Sequence, residues 1–277
     1  MWDPTQQLAP ELFWCKTHYP IFLVHGIAWR DDTPFLSYWG KIPDILKYYG
    51  ADVHLSGHDA FNTDASSALV LKHKIFSLLR ESKAKKVNII AHSKGGLVAR
   101  YMISLLGMEE KVASLTTLGT PHQGSSIADL LLQNRDNRSL LVKSFNLMAR
   151  IFGDKNPNSF LAGQELTLSY MKNFNQLSPD KKDVYYQSFA GIIDQNYKNL
   201  FYRKLYKLLF EHEGANDGLV SEQSARWGHY RGIITDAQTK LVSHTDMVGQ
   251  YFLSGVKDFD AGSFFVKLVH ELKTMNF

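Results

Sequence analysis

Two kinds of hydrophobic pattern alternate along the first 120 residues. Short, continuous apolar runs that end at glycine or small polar residues are typical of strands buried on both faces. Such strands are predicted at residues 21–24, 51–55, 87–91 and 112–118. Apolar residues at helical spacing predict helices between them, at 36–50, 65–80 and 95–106. This order predicts βαβ units, hence a parallel sheet with right-handed crossovers that binds ligands at the carboxyl ends of its strands.

The second half of the chain has a different pattern. Residues 125–180 are mostly helical in character, strand character returns at 183–191, and residues 264–272 form an amphipathic pattern with Ser263 as the predicted N-cap. We therefore predict an α/β protein of one domain, residues 1–277, with a mostly parallel sheet and a helical insertion at about 125–180.

Composition excludes several classes of protein. The formal charge of +4 is small and unclustered, so it does not favour nucleic-acid binding, and the single cysteine, Cys15, cannot form a disulfide within the chain. No apolar run has the ~18–20 residues of a membrane span. Residues 1–4 lack the basic and apolar regions of a signal peptide.

A serine stands where such a sheet would place a nucleophile. Ser93 lies between the predicted strand 87–91 and the following helix, and a serine on that sharp turn is lifted above the sheet. The turn requires small residues two positions before and after it, and Ala91 and Gly95 meet this requirement. The alternative, a serine in an ordinary helix N-cap, does not explain both small neighbours.

Serine needs a base and an orienting carboxylate, which here would follow it in the order acid, then histidine. Three histidines come late enough in the chain: His229, His244 and His270. His270 falls within the C-terminal helical pattern and His229 has no neighbouring signal. His244 lies in a loop after a short apolar stretch, so it is the predicted base, against the alternative of a surface histidine.

The acid is predicted to be Asp217. A glycine follows it, and Gly218 would permit a tight turn that directs the carboxylate back towards an imidazole. Asp-Gly is a common turn sequence, so Asp236 and Asp246 remain competitors, although Asp246 is close in sequence to His244.

The tetrahedral intermediate of acyl transfer also needs prearranged hydrogen-bond donors. The backbone N–H of Lys94, directly after Ser93, is one predicted donor, and the N–H of Ile27, after the first strand, is the other. The side chain of Lys94 is expected to be solvated and without a role. His25 is expected to be structural because it precedes the acid in the chain.

These blocks together resemble the bacterial true lipases, the family I triacylglycerol lipases of the α/β-hydrolase fold. The blocks are IFLVHGI at 21–27, AHSKGGLV at 91–98, LGTPHQGS at 118–125, NDGLV at 216–220 and HTD at 244–246. They occur in the family's order from residue 20 to about residue 250. The resemblance implies Ser93, Asp217 and His244 as catalytic residues and Ile27 and Lys94 as oxyanion donors, with no organic cofactor.

The resemblance also implies a structural calcium ion near the catalytic histidine. Asp246 matches one carboxylate ligand, and Asp194 is the best match for the other, although the spacing around it departs from the family's. Some relatives hold zinc with histidine and aspartate, but the metal-binding subdomain is missing here, so His54, His58 and Asp59 are not assigned to zinc.

The apolar helices after Ser125 resemble the family's lid. An enzyme acting on insoluble esters needs an apolar mouth, and a mobile amphipathic helix can cover it in water. We place the lid within residues 127–155, with Phe145, Met148, Ile151 and Phe152 as candidate lipid-facing residues. Permanent packing of this stripe in the core is the alternative.

The resemblance implies hydrolysis of long-chain acylglycerols at an oil–water interface. An esterase, thioesterase or acyltransferase for short, soluble acyl groups is the alternative, and an inactive lipid-binding relative is a remote one. The family is mostly extracellular, but the sequence shows no export signal, so the expected location stays open between extracellular and cytoplasmic.

Overall fold

The computed structural model describes residues 13–27, 30–31, 37–133, 135–151, 153–251 and 258–277. The strands are β1 Ile21–Val24, β2 Val53–Leu55, β3 Val87–His92, β4 Val112–Leu118, β5 Tyr185–Ala190 and β6 His229–Ile233. The longer helices are α1 Ile42–Tyr48, α2 Asp64–Ser82, α3 Gly95–Leu105, α4 Ser126–Gln133, α5 Arg135–Ile151, α6 Ser159–Gln164, α7 Leu168–Leu177, α8 Leu200–Glu213, α9 Glu222–Ala225 and α10 Ala261–Thr274.

The six strands form one sheet in the order β2-β1-β3-β4-β5-β6, and all five pairings are parallel. Because parallel strands end at one edge, the loops after β1, β3, β4 and β5 meet there. The predicted α/β class and parallel sheet are confirmed.

Helices cover both faces of the sheet, so β1, β3 and β4 are buried on two sides. On β1, Ile21 and Leu23 pack in a cluster with α1 and α10, whereas Phe22 and Val24 pack with α2 and α3. This arrangement explains why the early strands are continuous apolar runs rather than alternating ones.

Several predicted boundaries were wrong. The helix expected over 36–50 begins only at Ile42, after a non-helical turn at residues 38–40. Pro43 lies within the first turn of this helix. The C-terminal helix begins at Ala261, and its N-cap is Asp260, whose carboxylate accepts from the Ser263 N–H at 3.0 Å. Aspartate is as good a cap as serine, and the pattern alone did not separate the two.

Four helices, α4 to α7, separate β4 from β5 and occupy the predicted insertion. β6 and α8 were not predicted from the sequence. Among the residues that the structure describes, no helix is both long and apolar enough to cross a membrane.

Candidate active site

Ser93 sits on a strained turn between β3 and α3. Its φ of +54° lies in the left-handed region, which a side chain with a Cβ adopts only when its surroundings enforce it. The Ser93 N–H donates to Leu118 O at 2.9 Å, and the Thr120 hydroxyl donates to Ser93 O at 2.7 Å. β4 therefore fixes the backbone of this turn, and the side chain stays half-buried at the carboxyl edge of the sheet.

The glycines around Ser93 are required by close backbone approach. A Cβ on Gly95 would lie 2.4 Å from Val24 O, and one on Gly26 would lie 2.6 Å from the Cβ of Ser93. The small residue predicted two positions after Ser93 is thus explained by β1, which runs directly against the turn. The same crowding brings the loop of Gly26 and Ile27 beside the serine.

Asp217 and His244 are in direct contact. His244 Nδ1 lies 2.8 Å from Asp217 Oδ2, and both side chains are buried. Since a carboxylate only accepts hydrogen bonds, His244 Nδ1 carries a proton, and in the neutral imidazole Nε2 is then the nitrogen with the lone pair. The backbone N–H of His244 also donates to Asp217 O at 3.0 Å, so main chain and side chain hold the pair together.

The carboxylate of Asp217 is oriented by its own turn. Asp217 Oδ1 accepts from the N–H groups of Leu219 and Val220, at 2.9 and 2.8 Å, which leaves Oδ2 for the imidazole. Gly218 has a φ of +98°, and a Cβ there would lie 2.5 Å from Tyr202. The expectation that a glycine beside Asp217 permits the turn is confirmed.

This pair lies next to the neighbours of Ser93. The His92 and His244 rings are 4.6 Å apart, and a Cβ on Gly119 would lie 3.1 Å from Asp217 Oδ2. Gly119 directly follows Leu118, whose carbonyl accepts from the Ser93 N–H. His244 and Asp217 therefore lie beside residues that flank the Ser93 turn, at the carboxyl ends of β3 and β4.

His92 and Tyr38 support the histidine and were missed by the sequence analysis. His92 Nε2 lies 2.9 Å from His244 O, and His92 Nδ1 lies 2.7 Å from the Tyr38 hydroxyl. Because a carbonyl can only accept, Nε2 is the protonated nitrogen and the tyrosine donates to Nδ1. Burial, and secondarily the nearby His244, lower the pKa of His92 well below its ordinary value, so this histidine stays neutral. Its hydrogen bond to His244 O holds the backbone of that residue in place.

The residues considered as alternatives to Asp217 and His244 make hydrogen bonds elsewhere in the fold. Asp236 accepts from the N–H groups of Gln238 and Thr239, so it caps a turn rather than facing His244. His270 Nδ1 lies 3.0 Å from Trp14 O, and His229 Nδ1 lies 3.1 Å from the Tyr185 hydroxyl.

His25 stacks on His58 with ring centroids 3.9 Å apart, and its Nδ1 lies 2.8 Å from Gly26 O. Its contacts are therefore those of a buried framework residue. His54 contacts Asp52, His58 contacts the Ser56 hydroxyl, and Asp59 pairs with Arg30, so these three side chains have separate partners.

Asp246 is enclosed by protein donors. Its Oδ2 accepts from the Tyr197 hydroxyl at 2.5 Å and from the N–H and hydroxyl of Ser243 at 3.0 and 2.7 Å. Its Oδ1 is buried without a hydrogen-bond partner, whereas Asp194 Oδ1 accepts from the Asn196 N–H. Calcium takes six to eight oxygens, and the described part of the chain contains no group of three or more His, Cys, Asp or Glu side chains suited to a metal ion. These contacts do not form a calcium site as they stand, so calcium stays a prediction from the resemblance.

The side chain of Lys94 contradicts the expectation that it is solvated. It is only 3% exposed, and its Nζ contacts the carboxylates of Asp64 and Glu165. A lysine is buried only where charges compensate it. Asp64 opens α2 and Glu165 follows α6, so neither partner is near Lys94 in sequence.

Of the candidate lid residues, two pack against the protein and one faces solvent. Phe145 stacks on Phe61 at 6.0 Å between ring centroids, and Met148 packs against the same cluster, which also includes Ile27. Ile151 points outwards and is 73% exposed. Phe152 lies outside the described residues.

Comparison with known proteins places the chain in a family. Residues 3–166, more than half of the chain, match a family described as "Domain of unknown function (DUF7379)". The chain belongs to this family. Its likeness to triacylglycerol lipases, predicted from the sequence blocks, is confirmed by the two relatives described next.

A protein of Saccharomyces cerevisiae named triacylglycerol lipase 2 is 30% identical over 220 residues, which cover 77% of this chain and 62% of that protein. A triacylglycerol lipase of Vibrio cholerae is 40% identical over 116 residues, which cover 42% of this chain and 36% of that protein. The chain thus spans less than two thirds of either relative.

Among solved structures, a metagenomic carboxyl esterase superposes with a TM-score of 0.73 at 16% identity, over 99% of this chain and 81% of that one. At that identity the likeness establishes the fold alone. The predicted α/β-hydrolase fold is therefore confirmed.

Proposed function

We propose that this protein is a serine hydrolase of carboxylic esters that acts on long-chain acylglycerols. The observation that carries the proposal is the 2.8 Å contact between His244 Nδ1 and Asp217 Oδ2, beside a serine on a left-handed strand-to-helix turn. A base with an oriented carboxylate is what a serine nucleophile requires. The named relatives support the same chemistry.

In the proposed mechanism, the Ser93 hydroxyl attacks the acyl carbonyl and its proton passes to His244 Nε2. The resulting oxyanion accepts hydrogen bonds from the N–H groups of Ile27 and Lys94. His244 then gives the proton to the departing alcohol, leaving an acyl-enzyme. A water molecule, deprotonated by His244, attacks the acyl group, and the fatty acid leaves as Ser93 regains its proton.

The proposed substrate class is supported by the apolar surface of α5. Leu147 and Ile151 are 62% and 73% exposed, an arrangement that is unfavourable in water but suits contact with lipid. On its inner side the helix packs over the cluster that contains Ile27. We assign α5 as the lid: it covers Ile27, the proposed oxyanion donor after β1, and withdraws at an oil–water interface.

We expect a fluorophosphonate probe to label the folded protein at Ser93, because the probe reacts only with a serine activated by its base. Digestion and mass spectrometry would locate the adduct, with heat-unfolded protein as the control. Absence of labelling in folded protein, or labelling at a different serine, would overturn the proposed chemistry.

We expect faster hydrolysis of emulsified triolein than of a soluble butyrate ester. The double variant Leu147→Ser/Ile151→Ser should lose about tenfold on the emulsion while keeping its rate on the soluble ester, since it removes only interfacial contact. Leu69→Ser, a 48% exposed leucine on α2, is the matched control. A wild-type preference for the soluble ester would replace the lipase assignment with that of an esterase.

A further inference from the structure

The side chains of Lys94, Asp64 and Glu165 form a buried group that has no part in the mechanism above, although Lys94 directly follows the nucleophile. Its carboxylates come from separate elements: Asp64 is the first residue of α2, and Glu165 lies between α6 and α7. All three side chains are buried. We call this group the lysine clamp.

The clamp is closed by hydrogen bonds as well as by charge. Glu165 Oε2 accepts from Lys94 Nζ at 2.8 Å and from the Asp64 N–H at 2.7 Å. Asp64 Oδ1 accepts from the same ammonium group. Glu165 Oε1 accepts from the Tyr170 hydroxyl at 3.4 Å, which extends the clamp to α7.

Charge balance shows that the ammonium group is essential to this arrangement. Burial would lower the pKa of Lys94, but Asp64 and Glu165 outweigh it and raise that pKa above its ordinary value, so the lysine remains charged. Without the lysine, two carboxylates would be buried side by side, and Asp64 Oδ2 already has no hydrogen-bond partner. The lysine side chain is therefore held in one position by Asp64 and by Glu165.

That side chain is attached to the peptide unit on which the chemistry depends. The N–H of Lys94 is a proposed oxyanion donor, and a donor must be aimed where charge develops in the transition state. Backbone contacts also hold this peptide unit: its carbonyl, Ser93 O, accepts from the Thr120 hydroxyl and from the Gly96 N–H, and the Lys94 carbonyl accepts from N–H groups of α3. The clamp adds a restraint on the Lys94 side chain to these contacts. Lys94 stands at the N-cap position of α3 with helical φ and ψ, and its ammonium group, which can only donate, reaches the clamp carboxylates.

We propose that Lys94 is a positioning residue: its clamped side chain, anchored by Asp64 and Glu165, acts with the backbone hydrogen bonds of the turn to fix the orientation of its own N–H towards the oxyanion. The inference rests on the proposed function. It deepens that proposal by giving the buried lysine a role in the transition state and none in substrate binding.

The test compares Lys94→Met and Glu165→Ala with the conservative variant Glu165→Gln, on a soluble ester with active sites counted by fluorophosphonate. Both disruptive variants should lower kcat at least tenfold with KM within about twofold, since a donor displaced by a fraction of an ångström acts only in the transition state. Glu165→Gln keeps an oxygen acceptor for the ammonium group, so it should retain kcat within about threefold.

Inhibition by an alkyl boronic acid supplies a readout that a structural role would not move. The tetrahedral boronate adduct uses the oxyanion donors, so its inhibition constant should rise in proportion to the loss of kcat. Lys72→Met is the matched control, because Lys72 is a half-buried lysine on α2 that donates to Leu106 O, away from the turn. That variant should change neither kcat nor boronate inhibition.

The outcomes separate the two proposals. If wild-type protein is not labelled by fluorophosphonate, the proposed function fails. If wild-type protein is labelled and Lys94→Met keeps kcat and boronate affinity, the positioning role alone is overturned. Should Lys94→Met fail to fold, Glu165→Ala decides by the same criterion, since it leaves Lys94 paired with Asp64. A lower melting temperature of either variant, with an unchanged kcat per active site, would also overturn the positioning role of Lys94.

Discussion

Replacing Ser93 with alanine is expected to lower kcat on a soluble ester by about 10⁴-fold or more, while the protein keeps its fold. The hydroxyl is the only proposed nucleophile, and the oxyanion donors cannot substitute for a covalent intermediate. The turn should survive because the contacts that hold it use the backbone N–H and carbonyl of residue 93, with the Leu118 carbonyl and the Thr120 hydroxyl as partners. Alanine also carries a Cβ, so the strain at a φ of +54° is unchanged.

The measurement is initial-rate kinetics together with circular dichroism and thermal melting. Ser77→Ala is the matched control: this hydroxyl on α2 donates to Glu81 Oε1 at an exposed position. It should leave the rate unchanged. A Ser93→Ala protein that folds and retains a tenth of the wild-type rate would show that another group performs the attack.

The location of Ser93 was predictable because its signal is local. A buried strand, a small residue on either side and a following helix all fall within a dozen residues, and each is required by the tight turn. The crowding of Gly95 against the Val24 carbonyl is the physical reason for that pattern. The early strands were predictable for a similar reason, since burial on both faces leaves a continuous apolar run.

The elements that were missed lack such a signal. β6 lies at the edge of the sheet and has the sequence HYRGI, in which the first residue is exposed and the other four are half-buried, so neither alternation nor an apolar run marks it. α8 exposes Leu200 and Phe201 and buries only Tyr202 and Leu209. The apolar residues of α8 are therefore not confined to the side of the helix that packs on the protein, so their spacing does not mark a buried face.

Chain order and turn chemistry limited the choice of acid and base without deciding it, and the resemblance to the lipase family favoured Asp217 with His244. The rest of the site depends on contacts between distant residues. The partners of Lys94 lie 30 and 71 positions away, and an unaccompanied lysine in a sequence is expected in solvent. The support of His92 by Tyr38 spans 54 positions. No local pattern marks either contact.

Replacing Asp217 with asparagine should lower kcat by about 10⁴-fold with little change in the fold. The asparagine oxygen can still accept from Leu219 and Val220, as Asp217 Oδ1 does. Its amide group then faces His244 in place of Oδ2, and two N–H donors cannot share one hydrogen bond. The imidazole is driven to the tautomer with its proton on Nε2, which cannot accept the proton of Ser93.

Asp236→Asn is the matched control for this variant, because Asp236 is the competing acid from the sequence and makes the same type of carboxylate contacts with backbone N–H groups. Its kcat should stay within about threefold of wild type, measured with the same soluble ester and the same active-site titration. The reverse result, an active Asp217→Asn and an inactive Asp236→Asn, would move the acid to Asp236. Because the Asp217 contact carries the proposed function, that result would also remove its main support.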